Sequence, residues 1–288
     1  MKRSGVAPMR DVISSTACRR WEWLMASNDL AAAGMASKKE CSALPLPEAI
    51  HSPSADALAA AASDPRLTED LALALLKRSD LPAEVLDQLS KNSGAMQSRK
   101  VKLAVVEHPK APRHVSIPMV RHLFTFDLMQ VALTPVVPAD IKMAAEEALI
   151  NRLETISSGE KLSLGHRASG RVAGVLLLDS EPRVIRAALE NSRLTEASII
   201  KALMRRDSRA AFVEVVCHHA RWSPRRGIRI ALLRNEKTPL ARALEFARSL
   251  PAGLVREILQ GSRLPVNTKS HLLKDVAERS GRSGEPGF

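Results

Sequence analysis

Residues 179–203 read DSEPRVIRAALENSRLTEASIIKAL, and this stretch decides the fold. Pro182 stands where a helix would begin, because a proline at the first helical position loses no backbone hydrogen bond. A small aliphatic run ends at Asn191, and the hydroxyl of Thr195 can then cap the free N–H groups of a second helix. In that second helix Ile199 and Leu203 share one face. The stretch therefore predicts two short amphipathic helices joined by a tight turn.

The same register recurs in ALAAAASDPRLT from Ala57, VKLAVVEHPKAP from Val101, VIRAALENSRLT from Val184 and IRIALLRNEKTP from Ile228. IKMAAEEAL from Ile141 keeps only the first half, and a short copy from Leu254 is expected to close the array. The starts at 57, 101, 141, 184 and 228 are separated by steps of 44, 40, 43 and 44 residues. A period of about 40 to 47 residues is typical of HEAT or armadillo-type units, interpreted here as two-helix units.

Each of the four full copies places a polar residue at the end of its first helix and a basic residue two positions later. The polar residues are Asp64, His108, Asn191 and Asn235, and the basic residues are Arg66, Lys110, Arg193 and Lys237. A helix exit often needs a residue near the left-handed conformation, which Asn and Asp tolerate better than most residues do. We therefore expect the polar slot to adopt that conformation.

Residues 179–203 resemble the leucine-rich repeat variant unit, a HEAT-related helical repeat. The matching features are Asp179, the Pro182-Arg183-Val184 start, Arg186-Ala187-Ala188-Leu189, Asn191 and Leu194-Thr195. Residues 108–115, HPKAPRHV, give a weaker second match. The resemblance implies an all-α fold, an α-α superhelix of the HEAT-like or leucine-rich repeat variant class. Such arrays generally act as recognition surfaces, and the resemblance implies no particular ligand.

Local composition and helical periodicity divide the chain into three regions. Residues 1–54 mix Ser, Ala, Lys and Pro without a sustained helical period, so we expect a largely disordered or weakly helical tail. Trp21 and Trp23 lie in a stretch that could form one short helix for docking a partner, but the favoured interpretation is a poorly ordered tail or an over-extended start. Residues 55–280 are expected to form about five two-helix units, and residues 281–288 a second disordered tail.

The composition bounds the partners and the compartment. The chain carries a net charge of +12, which favours acidic partners or else reflects solvated arginines on helix faces. Its three cysteines are widely spaced and form no CxxC pair, so a reducing, cytoplasmic location is expected. No apolar run approaches the length that spans a bilayer, and we expect no membrane insertion.

The sequence carries no common catalytic motif, so no enzyme activity, cofactor or metal is expected. Adjacent helix residues point about 100° apart, which argues against Cys217, His218 and His219 sharing one metal ion. Gly165 and Gly170 suggest a phosphate-binding loop, but close helix packing is the favoured interpretation.

The candidate binding residues are basic and lie in the C-terminal half, where equivalent positions of stacked units could form a continuous band. They are Arg167, Arg171, Arg205, Arg206, Arg209, Arg221, Trp222, Arg225, Arg226 and Arg229. Arginine suits forked contacts to phosphate or carboxylate, although many arginines could instead flank cores and satisfy helix C-termini.

Three functions remain open from the sequence. The leading hypothesis is a non-enzymatic scaffold that binds a protein or peptide. The alternative is binding of a nucleic-acid backbone through the Arg-rich face. A HEAT-like DNA glycosylase is the least favoured, because it would need aromatic residues in a basic groove. The sequence predicts no particular oligomeric state.

Overall fold

A computed structural model describes residues 45–282, and this part of the chain is all-α. Residues 1–44 of the predicted tail, with Trp21 and Trp23, lie outside the described residues, as do the last residues, 283–288. The helices are α1 Leu46–Ala49, α2 Ala55–Ser63, α3 Glu69–Leu76, α4 Ala83–Lys91, α5 Arg99–Glu107, α6 Arg113–Val120, α7 Thr125–Leu133, α8 Ala139–Arg152, α9 Ser158–Arg167, α10 Gly170–Leu176, α11 Pro182–Glu190, α12 Glu196–Met204, α13 Ala210–His218, α14 Arg226–Arg234, α15 Leu240–Arg248, α16 Ala252–Gln260 and α17 Val266–Arg282, with a 3-10 turn over Ala95–Gln97 between α4 and α5.

Helix starts follow the predicted chemistry. Thr195 caps α12 by accepting a hydrogen bond from the Ser198 N–H, and Pro182 is the first residue of α11. Ser157 forms a reciprocal capping box with Glu160 at the start of α9. Pro118 lies inside α6.

The helices form two layers, because most helices pack against the helix two positions further along the chain. The even-numbered helices from α2 to α16 make one layer and the odd-numbered helices from α3 to α17 make the other. Apolar faces of both layers meet in two hydrophobic clusters, which run from Ala49 to Val115 and from Val106 to Val276. No single nine-residue helix could bury such a face alone, so stacking is what stabilises the array.

The packed array begins upstream of residue 55. Ala49 and Ile50 are buried in the first cluster. The Arg78 side chain donates hydrogen bonds to the backbone carbonyls of Ile50 and Ser52. These contacts attach α1 to the end of α3.

The predicted repeat step is wrong: it spans three helices rather than two. The copies that start at 57, 101, 141, 184 and 228 fall in α2, α5, α8, α11 and α14, and so alternate between the layers. Within the described residues, α2 to α17 form eight consecutive helix pairs, not about five. The end of a helix requires the same residue types in either layer. Aligning every third helix therefore gives as good a sequence match as aligning every second helix.

The polar slot explains how neighbouring units are joined. The Nδ2 group of Asn191, at the end of α11, donates to the carbonyls of Gly165 and Ala168 at the end of α9, at 2.8 and 3.0 Å. Asn235 bonds Leu203 O in the same way, and His108 Nε2 lies 2.9 Å from Arg78 O. These bonds join residues 23 to 32 apart, which is the true step between units of one layer.

The slot residues do not adopt the left-handed conformation, which corrects that prediction. Their φ angles lie between −59° and −88° with ψ near 130°. Each side chain instead accepts the N–H of the residue two positions on, as Asn191 Oδ1 does from Arg193 at 2.8 Å. This side-chain bond closes the turn while the backbone leaves in an extended conformation.

We predict that Asn191→Ala lowers the free energy of unfolding by about 2 kcal/mol or more, because two carbonyls lose their donor in a buried site. Urea denaturation followed by circular dichroism measures the change. Asn267→Ala, at an exposed position of α17, is the control and should cost less than about 0.5 kcal/mol. Equal effects of the two substitutions would contradict a buried clamp at Asn191.

A second prediction concerns acid. The hydrogen bond from Arg78 lowers the pKa of Asp80 from 3.8 to about 2. Because the folded pKa is depressed, the stability from this pair is present above pH 3.8 and is lost as pH falls towards 2. The urea midpoints of the wild type and of Asp80→Asn should therefore differ near neutral pH and converge in acid. A constant difference across this range would contradict the pairing.

Candidate binding groove

The connecting turns lie on two opposite edges of the array, because each helix runs from one edge to the other. The first edge holds the turns that follow odd helices such as α9, α11 and α13. The second edge holds the turns that follow even helices such as α10, α12 and α14.

The predicted basic residues are divided between these edges and do not form one face. Arg205, Arg206 and Arg209 lie on the second edge, in the turn between α12 and α13. The first edge carries the others, at the ends of α9 and α13 and the starts of α10 and α14; these are Arg167, Arg171, Arg221, Trp222, Arg225, Arg226 and Arg229.

Several of these arginines are engaged within the array. Arg171 bonds Glu147 at 2.6 Å, Arg205 bonds Asp207 at 2.7 Å, and Arg225 bonds Glu196 at 3.1 Å. The Arg229 side chain donates to the backbone carbonyl of Ser223. Within residues 45–282 we find no ion pair or hydrogen bond for five exposed guanidinium groups of the predicted set; these belong to Arg167, Arg206, Arg209, Arg221 and Arg226.

Trp222 is part of the core rather than of a binding face. It is 1% exposed, and its indole N–H donates to Leu189 O at 2.8 Å. The guanidinium groups of Arg221 and Arg225 lie 4.6 and 4.8 Å from the centre of its ring. Trp222 therefore joins the turn after α13 to the end of α11, and the two arginines cover it from solvent.

Cys217, His218 and His219 lie in different surroundings and make separate contacts. Cys217 is buried, and burial raises the pKa of its thiol to about 12. His218 Nδ1 lies 2.9 Å from Glu214 O, while His219 Nδ1 accepts the Arg221 N–H. In the region that the structure describes, no three His, Cys, Asp or Glu side chains come together as metal ligands.

The two glycines that suggest a phosphate loop instead mark close packing. A Cβ on Gly165 would lie 3.0 Å from Ala187 Cβ, in the contact between α9 and α11. A Cβ on Gly170 would lie 2.4 Å from Arg193 O, so only glycine lets these two turns approach.

Two adjoining concave features lie on the outer surface of the even layer. One cleft of about 600 Å³ lies over α8, α10 and α12, and a second of about 420 Å³ lies over α6 and α8. Glu147 lines both clefts, so the two adjoin there, and we refer to them together as the groove over α6, α8, α10 and α12. Apolar side chains make most of its floor; they are Ile117, Ala144, Ala148, Ile150, Val175, Leu178 and Ala202.

Charged side chains stand along this groove. Arg171 bonds Glu147 across α10 and α8, and Lys201 and Arg205 lie at the α12 end. At the α6 end, Arg152 donates hydrogen bonds to the backbone carbonyls of Arg121 and Leu123. Basic side chains thus outnumber the single acidic one that lines the groove.

Sequence reasoning predicted Arg171 and Arg205 but missed the groove that they line. Its floor is built from small residues such as Ala148, Gly174 and Ala202, which in a sequence resemble ordinary helix-packing positions. Ala148 of α8 and Gly174 of α10 line the groove and face outward. This orientation follows only from the arrangement of the helices in layers. That arrangement was hidden by the incorrect repeat step.

Comparison with protein-family models, curated proteins and solved structures finds no match to this chain. No helix among residues 45–282 is long and apolar enough to cross a membrane.

We predict that Trp222→Phe lowers the free energy of unfolding by about 1 to 3 kcal/mol. The change removes the indole N–H that satisfies Leu189 O and leaves a small cavity in the core. Urea denaturation measures the loss. Unfolding at the wild-type urea concentration would contradict a structural role for this side chain.

Proposed function

We propose that the chain is a non-enzymatic helical-repeat scaffold that binds a protein or peptide segment in the groove over α6, α8, α10 and α12. The proposal rests on one observation: an apolar floor is open to solvent along four neighbouring helices of the even layer. Binding sites in proteins are concave and mostly apolar, with a few polar groups that orient the ligand.

The chemistry of the groove favours a segment with apolar side chains flanked by acidic residues. Val175 is 37% exposed on the floor, and Ile117 is exposed to the same extent at the α6 end. Lys201 and Arg205 offer cationic groups beside that floor. An acidic residue on the partner would gain a charge-assisted hydrogen bond there.

We further propose that the array belongs with the leucine-rich repeat variant and HEAT-like repeats. The support is the two-helix unit with a step of 23 to 32 residues between bonded positions of one layer. This step is shorter than the roughly 40 to 47 residues of HEAT units, and so favours the variant repeat. A cytoplasmic location remains a proposal that rests on the cysteine pattern.

The nucleic-acid alternative receives less support than the groove. The predicted arginines are divided between two edges, and Arg171, Arg205 and Arg225 form ion pairs within the array. The glycosylase hypothesis also gains no support, since Trp222, the aromatic residue nearest the basic groups, is buried in the core.

We predict that a random peptide library displayed on phage and selected on the full chain enriches segments that combine apolar and acidic residues. Val175→Asp should weaken binding of a selected peptide at least about tenfold, because it places a charge on the apolar floor. Fluorescence anisotropy with the labelled peptide measures the affinity.

The matched control is Leu162→Asp, which introduces the same charge at a position of similar exposure, 38%, on α9 of the other layer. It should leave the affinity unchanged. Failure to enrich any peptide, or equal weakening by both substitutions, would argue against the groove as the binding site.

A further inference from the structure

The second edge of the array is strongly basic in its C-terminal part. It consists there of the turns at residues 204–209, 234–240 and 261–269, which together hold seven basic side chains and two acidic ones. The basic residues are Arg205, Arg206, Arg209, Arg234, Lys237, Arg263 and Lys269. The acidic residues are Asp207 and Glu236.

These three turns form one continuous surface, which we call the basic edge. The backbone N–H of Arg263 donates to Arg234 O at 3.1 Å, and its side chain donates to Met204 O at 2.9 Å. Lys237 Nζ donates to Ser208 O. Hydrogen bonds therefore connect each turn to its neighbour.

Exposed apolar side chains stand among these cations. Val266 is 81% exposed, Met204 is 42% exposed and Leu240 is 36% exposed, each at the end or the start of a helix on this edge. The corresponding turns of the first edge, at residues 167–171, 191–196, 219–226 and 249–252, carry no exposed large hydrophobic residue. Among the turns from residue 167 onward, cations and exposed large apolar groups thus coincide on the second edge.

This combination separates the possible partners. A nucleic-acid backbone needs cations but gains nothing from exposed aliphatic side chains. The three turns also contain no aromatic residue on which a base could stack. An anionic bilayer surface uses both features, because its headgroups attract Lys and Arg while its interface accepts apolar side chains.

We propose that the basic edge docks on the surface of an anionic lipid bilayer. Arg206 and Arg234, which have no ion pair or hydrogen-bond partner from their side chains within residues 45–282, supply the attraction. Val266, Met204 and Leu240 enter the interface between headgroups and acyl chains. This docking is peripheral. The basic edge adjoins the peptide groove at Arg205, but the five residues assigned to the bilayer do not line the groove.

The test is co-sedimentation of the full chain with phosphatidylcholine vesicles that contain or lack phosphatidylserine. We expect binding that requires phosphatidylserine and weakens as salt is raised. The double variant Arg206→Glu, Arg234→Glu should bind about tenfold more weakly or worse. The control Arg167→Glu, Arg226→Glu makes the same charge change on the first edge and should bind as the wild type does.

A second pair of variants separates membrane from nucleic acid at constant charge. Val266→Ser should lower vesicle binding several-fold. Val136→Ser, at a position 60% exposed in the turn after α7, should not. Circular dichroism checks that each variant is folded.

Three results would overturn the proposal. They are no binding to phosphatidylserine vesicles at low salt, equal losses in the two charge-reversal variants, and tighter binding of duplex DNA that depends on Arg206 and Arg234 but not on Val266. The last result would assign the edge to nucleic acid.

Discussion

The structure depends on how short helices end. Most helices here have about nine residues, so the carbonyls of the last turn are a large share of each backbone and must find donors. A buried side chain after the helix supplies one. Asn191 donates both Nδ2 hydrogens to the end of the neighbouring helix and accepts the N–H that closes its own turn. Loss of one such residue affects the ends of two helices.

The same constraint accounts for part of the high positive charge. Lys237 and Lys110 donate to the turn carbonyls of Ser208 and Asp80 in the preceding unit, and Arg193 donates to the carbonyl of Arg167 at the end of α9. Arg152 and Arg242 donate to similar carbonyls from within helices. These cations complement the negative end of the helix dipole and stabilise the stack. Net charge alone is therefore weak evidence for an acidic partner. The positions of the unpaired cations on the folded surface are stronger evidence.

The sequence was sufficient for the helices and for helix starts such as Pro182 and Thr195, because these depend on local residues. It also placed a polar residue at the helix exit, but it did not predict the extended backbone of that residue. The sequence did not predict how the helices are divided between the two layers. The exit of α11 at Asn191 and that of α14 at Asn235 look alike in sequence but lie in different layers, so a register based on them counts three helices as a unit. The burial of Trp222 also escaped prediction, because flanking arginines are as common on an exposed surface as around a core indole.

Gly174 supports the proposal that the groove has a role beyond the stacking of helices. Glycine in a helix interior costs about 0.5 to 1 kcal/mol relative to alanine, and α10 has only seven residues. At Gly165 and Gly170 that cost is offset, because neighbouring backbone approaches where a side chain would collide. At Gly174 a Cβ would meet only Ser198 Cβ at 3.7 Å, an ordinary contact that alanine could make. Packing thus does not require glycine there, and because Gly174 lines the cleft between α8 and α12, a side chain at this position would take up space in it.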